Sequence, residues 1–298
     1  MKTQFCFAIF LFLYFVDTAA FVTSQQQVIH RPELHLPSFK NRGLEHIRIL
    51  LCPGFGQGSN EFIEEGNLKT SLMMQGWDDA QIRVLPIKRS DWLQVFIRGI
   101  TDIEFWKGTA SPIRPAFRWY LDKVSTEINS IVQEDKDANI ILIACSAGGW
   151  LARAALGFLS GEVPGIEQTI DLNNIIGCVT LGTPNIPPPQ SVWDLTRGAL
   201  RITDEMFPGS YFSPKIKYMT VMSCTTKGEG LSYDSYTRVC GIGNEQGDGI
   251  VPCCAGHLED AIQINLDNVS HEEYGTEAVV PLWHDVMMQN IVLPKNLN

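Results

Sequence analysis

Short apolar runs alternate along the chain with longer segments whose apolar residues recur at helical spacing. This alternation is typical of an α/β fold whose central sheet is mostly parallel and flanked by helices. We expect six strands, at residues 47–52, 82–87, 139–144, 174–181, 216–224 and 261–266. Helices are expected near residues 62–75, 115–134, 147–160 and 280–292.

Two stretches interrupt the alternation. Residues 184–214 contain the run Pro187-Pro188-Pro189 and a helical pattern, "SVWDLTRGAL", at 191–200, whereas residues 225–249 are rich in Gly and polar residues. Long irregular segments inside a compact domain often cover or line a site. We therefore expect residues 46–298 to form a single domain with a lid-like insertion at about 185–214.

The N-terminus has a different composition. Lys2 precedes an apolar stretch from Phe5 to Val16, and Ala19 and Ala20 offer small residues for cleavage. This order predicts a signal peptide at residues 1–20, because the apolar run is short for a membrane span of about 20 residues. An uncleaved anchor is the alternative.

Composition narrows the possible partners. The net charge of −10 argues against binding of nucleic acid or anionic membranes by bulk electrostatics. No C-x-x-C pair occurs among the eight cysteines, so we expect buried free thiols rather than a disulfide framework. The sequence predicts neither a metal site nor an organic cofactor, and no transmembrane anchor after cleavage.

The stretch "ILIACSAGGW", residues 141–150, predicts a nucleophile at Ser146. A serine on a sharp turn from strand to helix needs small residues two positions before and after it, as in G-x-S-x-G. Ala144 and Gly148 meet this demand. The rival nucleophile Cys145 would place the bulky Ile143 at a crowded position. The structural alternative is that Ser146 only caps the following helix.

Candidate catalytic partners follow Ser146 along the chain. An acidic residue comes first and a histidine second, which is the chain order found with this kind of nucleophile turn. Asp248 lies between two glycines after a late strand, and His271 follows the last strand within a short loop. His271 is expected to act as the base and Asp248 as the acid that orients it. His257 and His284 are alternative bases, and Asp267 is a fallback acid.

Acyl transfer also needs backbone N–H groups that stabilise an oxyanion. The residue after the serine, Ala147, supplies one N–H. The Gly-rich loop "PGFG" after the first strand, residues 53–56, is expected to supply the second from Phe55.

Longer motifs carry a resemblance to a known family. They are "SDWL", "FWKGTASPIRPAFRWYL", "SAGGWLAR", "TLGTPNIPPP", "TRGAL", "VCGIGNEQGDGIVP" and "AGHLEDAIQINLDNVSH", from about residue 47 to 290. With them the chain resembles plant and algal α/β-hydrolases grouped loosely with lipases and GPI inositol-deacylases. The resemblance implies the α/β-hydrolase fold, an ester hydrolase, and Ser146, Asp248 and His271 as its triad. Relatives usually have Gly at the position of Ala144.

These features predict a serine ester hydrolase of the carboxylesterase or lipase type that acts on acyl lipids or similar carboxylic esters. The same triad would also serve a thioesterase or an amidase. The remaining alternative is an inactive binding protein that keeps the hydrolase fold.

Residues 21–45 carry a second targeting pattern. Phe21 stands first after the predicted cleavage site, in "TAAFVTS", and basic residues follow it. This resembles the bipartite plastid-targeting presequence of algae with secondary plastids, and it implies a transit peptide or linker at 21–45 and a plastid protein. Secretion or the endomembrane lumen is the alternative.

Fusion of residues 1–45 to a fluorescent protein tests this targeting. In an alga with secondary plastids we expect fluorescence inside the plastid, measured by microscopy. A fusion that is exported to the medium would contradict the plastid assignment and support secretion.

Overall fold

The computed structural model describes residues 44–293. The predicted signal peptide at residues 1–20, and all but the last two residues of the predicted segment 21–45, lie outside the described residues. The strands, helices and contacts of the fold are those of residues 44–293.

A six-stranded parallel sheet forms the centre of the fold, with the strand order β2-β1-β3-β4-β5-β8. Its strands are β1 (Ile47–Cys52), β2 (Ile82–Val84), β3 (Asn139–Cys145), β4 (Ile175–Leu181), β5 (Lys217–Ser223) and β8 (Ile262–Leu266). The six predicted strands are confirmed. β2 ends earlier than predicted, at Val84, because Pro86 has no N–H to donate to a neighbouring strand. Two short strands, β6 (Thr226–Lys227) and β7 (Gln246–Gly247), pair separately.

Helices connect the strands and cover both faces of the sheet. They are α1 (Asn60–Ile63), α2 (Leu68–Met74), α3 (Leu93–Gly99), α4 (Ile103–Lys107), α5 (Pro115–Glu134), α6 (Ala147–Phe158), α7 (Ala199–Met206), α8 (Leu231–Cys240) and α9 (Val280–Met287). None of these helices combines the length and the hydropathy that crossing a membrane requires.

Alternate residues of the strands pack into two hydrophobic cores, one on each face of the sheet. In β1, Leu50 and Cys52 belong to the core that α5 and α6 cover, whereas Ile49 and Leu51 belong to the core that α2 and α9 cover. Side chains of a strand point alternately to its two faces, so a sheet buried on both faces needs a continuous apolar run. This explains why "IRILLC" is apolar after its second residue.

Two predicted helices differ in extent from the observed ones. The predicted helix 62–75 is divided into α1 and α2, because the chain is extended at Glu64 and Gly66 has a φ of +82°. The predicted helix 280–292 is α-helical only to Met287, and one π turn, Met288–Val292, completes it.

The helix expected at 191–200 lies elsewhere. α7 begins at Ala199, because the Asp194 carboxylate accepts hydrogen bonds from the N–H groups of Thr196 and Gly198. Such a local turn competes with helix formation. Arg197 and Gly198 both have positive φ angles, of 55° and 94°, which a helix excludes.

Residues 225–249 are more regular than the sequence predicts, because they contain α8. This helix runs between Gly230 and Gly241 and is held by tertiary packing of Tyr236, which is fully buried. The Tyr236 hydroxyl donates to the carbonyl of Thr226 and accepts from the N–H of Gly249. The composition of the segment does not reveal this contact.

The prediction that the cysteines are free thiols is wrong for one pair. Cys224 and Cys253 form a disulfide with a Cα–Cα distance of 5.2 Å. The pair was missed because the end of β5 and the turn Cys253–Ala255 are distant in sequence and meet only in the tertiary fold. Cys52 and Cys178 are buried free thiols, as expected.

A buried arginine on α6 anchors both ends of the expected lid-like insertion. The Arg153 guanidinium donates to the carbonyl oxygens of Asn185 and Phe207, at 3.1 Å each, and lies 3.7 Å from the Asp204 carboxylate. Hydrogen bonds to a buried charge hold these segments in place.

Replacement of Arg153 by Ala should lower the free energy of unfolding by about 2 to 5 kcal/mol, because it leaves two buried carbonyl groups without a donor, at about 1 to 3 kcal/mol each. Denaturant unfolding followed by circular dichroism measures the change. Arg118→Ala is the matched control, since Arg118 makes only a surface ion pair with Asp122 on α5. Equal stability of the two variants would contradict the anchoring role.

Candidate active site

Ser146 lies on a sharp turn between β3 and α6, with φ 49° and ψ −130°. Few residues other than glycine adopt such a backbone, and it costs of order 1–3 kcal/mol. Surrounding hydrogen bonds hold the turn: Ser146 N–H donates to the Leu181 carbonyl at 2.9 Å, and the Thr183 hydroxyl donates to the Ser146 carbonyl at 2.8 Å.

Neighbouring glycines leave room for this turn. A Cβ on Gly54 would lie 2.7 Å from the Ser146 Cβ, and a Cβ on Gly148 would lie 2.5 Å from the Cys52 carbonyl oxygen. A Cβ on Gly149 would lie 2.2 Å from the Thr183 hydroxyl oxygen. All three contacts are shorter than atoms tolerate, so the turn depends on the absence of side chains here.

The structure brings Ser146, His271 and Asp248 together. Ser146 Oγ lies 3.0 Å from His271 Nε2, and His271 Nδ1 lies 2.8 Å from Asp248 Oδ2. An ionised carboxylate can only accept, so Nδ1 carries the proton and Nε2 is left to accept the Ser146 O–H. This is the arrangement in which an imidazole can remove a proton from a serine.

The Asp248 carboxylate is buried, and four donors satisfy it. Oδ1 accepts from the N–H groups of Ile250 and Val251, at 2.9 and 2.7 Å. Oδ2 accepts from the Tyr274 hydroxyl at 3.1 Å as well as from His271. A buried charge is stable only when its acceptors are occupied in this way, so the network fixes the position of Asp248.

The pKa of His271 is raised above its ordinary value of 6.5. Burial opposes the charged imidazole, but the negative charge of Asp248, its hydrogen bond to Nδ1 and the charge of Glu272 together outweigh burial. The surroundings of His271 therefore stabilise the imidazolium that forms when the ring takes a proton from Ser146.

The other sequence candidates have different surroundings. His257 Nδ1 lies 2.7 Å from the Thr220 hydroxyl oxygen, and His284 Nε2 accepts from the Trp77 indole N–H at 2.9 Å. Burial and, to a smaller extent, the negative charge of Glu272 raise the pKa of Cys145 to about 12, so this thiol resists forming a nucleophilic thiolate. Asp267 is exposed.

The loop after β1 runs beside Ser146 and is held rigidly. The Tyr120 hydroxyl donates to the Pro53 carbonyl at 2.8 Å, and the Gly54 N–H donates to Gln57 Oε1 at 2.8 Å. Trp92 Nε1 donates to the Gln57 carbonyl at 2.9 Å. These bonds fix the peptide between Gly54 and Phe55, which the sequence predicts as an oxyanion donor.

Ala147 is the first residue of α6. The N–H groups of the first helical turn have no carbonyl partner within the helix, and the helix dipole favours negative charge there. The backbone beside Ser146 thus has the polarity that an oxyanion needs.

A cleft opens over Ser146 and His271. It is lined by two carboxylates, Glu61 and Glu272, together with Gln57, Asn67 and Leu68. Glu61 is paired with Arg89, at 2.7 Å. In the part of the chain that the structure describes, no lysine or arginine lines this cleft, so Glu272 adds a negative charge that no cation of the lining balances.

Known structures share this fold. The lipase BlEst2 of Bacillus licheniformis in its mature form is 14% identical, with 80% of this chain and 91% of that chain covered, at a TM-score of 0.51. Its propeptide form is 14% identical, with 82% of this chain and 50% of that longer chain covered, at a TM-score of 0.52. No protein-family model matches, and no curated protein matches by sequence. Together with the parallel sheet, this likeness identifies the α/β-hydrolase fold predicted from the sequence.

Sequence reasoning missed several residues of the site: Gln57, Tyr120, Tyr274 and Glu272. Their contacts with the loop after β1, with Asp248 and with the cleft arise from tertiary packing. Tyr274 shows this clearly, because its hydroxyl accepts from the Ser223 N–H at 2.7 Å while it donates to Asp248. Its proximity to His271 in the sequence was the one available indication.

The charge of Asp248 should control the titration of His271. By NMR of a ¹⁵N-labelled imidazole we expect a pKa above 6.5 in the wild-type protein. In Asp248→Asn burial acts without the opposing carboxylate, so the pKa should fall below 6.5.

Glu272→Gln is the matched control, and it should lower the His271 pKa by less than Asp248→Asn does. A wild-type pKa at or below 6.5, or an equal effect of the two variants, would contradict the dominance of Asp248.

Proposed function

We propose that the chain is a serine ester hydrolase of the carboxylesterase or lipase type, with acyl lipids as its substrate class. The observation that carries the proposal is the hydrogen-bonded chain from Ser146 Oγ through His271 to Asp248, at 3.0 and 2.8 Å. On the strained turn of an α/β-hydrolase fold, this geometry suits nucleophilic acyl transfer.

In the first half-reaction, Ser146 Oγ attacks the ester carbonyl carbon while its proton passes to His271 Nε2. The negative charge on the former carbonyl oxygen is stabilised by the N–H groups of Ala147 and Phe55, each worth about 3 kcal/mol. The imidazolium then donates its proton to the leaving alkoxide, the C–O bond breaks, and an acyl-enzyme on Ser146 remains.

In the second half-reaction, His271 takes a proton from water as the water oxygen attacks the acyl carbon. The imidazolium returns that proton to Ser146 Oγ, and the carboxylic acid leaves. Asp248 keeps its charge throughout and stabilises the imidazolium. Because the neutral imidazole is the base, the rate should rise with pH through the raised pKa of His271.

Apolar surface near the cleft supports a lipid substrate. The Phe55 ring packs on Trp92, with ring centroids 5.1 Å apart. The segment that follows Trp92, which comprises α3, α4 and the turn between them, exposes five large apolar residues: Leu93, Ile97, Ile100, Ile103 and Trp106. Exposed apolar segments of this kind often mark contact with lipids or other apolar partners.

The negative charge of Glu272 in the cleft favours neutral esters over anionic ones. Glu272 is exposed beside His271, so a phosphate near the scissile bond meets negative charge and finds no cation in the cleft. We therefore propose galactolipids and other uncharged acyl esters as better substrates than anionic phospholipids or acyl thioesters with phosphate groups.

Relationship and location are part of the proposal. We propose kinship with the plant and algal hydrolases grouped with lipases and GPI inositol-deacylases, on the motifs quoted above, without adopting the deacylase substrate. The motif at Phe21 supports plastid targeting.

The nucleophile is tested with a fluorophosphonate probe, which forms a covalent bond with an activated serine. We expect labelling of the wild-type protein at Ser146, located by mass spectrometry, and no labelling of Ser146→Ala. Cys145→Ala is the matched control, because it changes the adjacent nucleophile, and it should keep labelling and esterase turnover. Labelling that persists in Ser146→Ala would overturn the assignment, and absence of labelling and turnover would favour a binding protein.

The charge preference is tested with a galactolipid and an anionic phospholipid of the same acyl chains. We expect a higher kcat/KM for the galactolipid in the wild-type protein and a smaller difference in Glu272→Gln. A preference for the anionic lipid, or no change in Glu272→Gln, would contradict the role of the cleft charge.

A further inference from the structure

A cluster of metal-ligating side chains lies outside the cleft, around the Cys224–Cys253 disulfide. The two sulfur atoms and a ring nitrogen of His257 all lie within 4.8 Å of one another. Asn265 Oδ1 lies 2.9 Å from His257 Nε2, 3.0 Å from Cys224 Sγ and 3.6 Å from Cys253 Sγ. Four candidate donor atoms thus converge on one point.

The nitrogen–oxygen and sulfur–oxygen distances, 2.9 to 3.6 Å, approach those of a tetrahedral site, and the two sulfur atoms can separate into the same range once the S–S bond is broken. With zinc bonds of about 2.3 Å to sulfur and about 2.0 Å to nitrogen, tetrahedral ligand atoms lie about 3.3 to 3.8 Å apart. Two thiolates, one imidazole and one oxygen form a donor set that zinc accepts.

His257 is oriented in the way that a ligand histidine usually is. Its Nδ1 lies 2.7 Å from the hydroxyl oxygen of Thr220, a residue fully buried in β5. In this structure the amide oxygen of Asn265 can only accept, so Nε2–H donates to it and Nδ1 accepts from the Thr220 hydroxyl. When a metal ion takes the Nε2 lone pair, the ring proton moves to Nδ1 and the same hydroxyl can accept from Nδ1–H. Such a hydrogen bond from the second ring nitrogen commonly fixes the ring of a metal-binding histidine.

We infer that Cys224, Cys253, His257 and Asn265 form a zinc site when the Cys224–Cys253 disulfide is reduced. A dithiol reductant supplies two electrons and two protons to the S–S bond, yields two thiols and itself becomes a disulfide. Zn²⁺ then displaces the two thiol protons and binds both thiolates, His257 Nε2 and Asn265 Oδ1. Disulfide and zinc are alternative links within one cluster.

Because of where the cluster lies, the disulfide and the zinc ion would both stabilise the same segments of the chain. Cys224 follows β5, Cys253 and His257 belong to the segment after Asp248, and Asn265 lies on β8, which precedes the loop of His271. Either link joins the segments on which Asp248 and His271 depend. The reduced, metal-free form lacks both links and should be the least stable form.

Cobalt titration tests the site without relying on catalysis. Full-length protein is reduced with a phosphine, which consumes the disulfide and one water to give two thiols and a phosphine oxide. We expect the reduced protein to bind one Co²⁺ per chain. The complex should show the ultraviolet thiolate-to-cobalt charge-transfer band and the visible absorption of a tetrahedral site. Addition of Zn²⁺ should displace the bound Co²⁺ and abolish both absorptions. The oxidised protein should show no such band.

Variants separate this site from other thiols. Cys224→Ser, Cys253→Ser and His257→Ala should abolish the tetrahedral spectrum, and Asn265→Ala should weaken binding. The matched control is Cys240→Ser with Cys254→Ser, which removes two nearby free thiols and should leave the titration unchanged.

A stability measurement provides the second readout. Zn²⁺ should raise the Tm of the reduced wild-type protein by several degrees and leave that of reduced Cys224→Ser unchanged. Absence of cobalt binding by the reduced protein, or binding that survives in Cys224→Ser or is lost in the Cys240/Cys254 control, would overturn the inference. None of these outcomes depends on whether Ser146 is a nucleophile.

Discussion

The crowded backbone turn at Ser146 is the constraint on which the rest of the site depends. A non-glycine residue with a φ of 49° and a ψ of −130° is strained, and it persists only because its surroundings leave no alternative. β3 fixes the turn on one side and α6 on the other, while Gly54 and Gly148 let the loop after β1 approach within van der Waals distance. The two cores on either face of the sheet supply the stability that keeps this turn in place.

A chain of hydrogen bonds runs from Ser146 through His271 to Asp248 and continues to Tyr274, which is buried in the hydrophobic core. Asp248 is held by two backbone N–H groups and by Tyr274, which also accepts from the N–H of Ser223 at the end of β5. A Cβ on Gly182 would lie 2.6 Å from the Tyr274 ring and 2.9 Å from Asp248 Oδ2, so this glycine admits both side chains. The Asp248 carboxylate, whose charge raises the pKa of His271, is thus fixed in position at the carboxyl end of the sheet.

The disulfide pair lies close to the same edge of the sheet. Cys224 directly follows Ser223, and Cys253 follows the turn in which Val251 donates to Asp248. A link at this place restrains the segments that carry Asp248 and His271. The hydrogen-bonded chain of Ser146, His271 and Asp248 and the cysteine cluster therefore share one structural support.

The sequence by itself determined the elements whose pattern is local. The apolar runs of the six strands, Pro115 at the start of α5, and the small residues around Ser146 all act through neighbouring backbone, so the sheet and the turn could be predicted. The sequence also indicated Asp248 and His271, because chain order in a parallel sheet brings the loops after late strands to one edge.

Only the tertiary structure decided what depends on contacts between distant segments. α8 is held by the burial of Tyr236, α7 is displaced by the turn at Asp194, and Cys224 forms a disulfide with Cys253, which lies 29 positions later in the chain. Likewise, Tyr120, Gln57 and Tyr274 reach the site through packing. Local propensity is worth a few tenths of a kcal/mol per residue, whereas burial of one large side chain is worth about 2 kcal/mol. Long-range burial therefore overrides local pattern wherever the two compete.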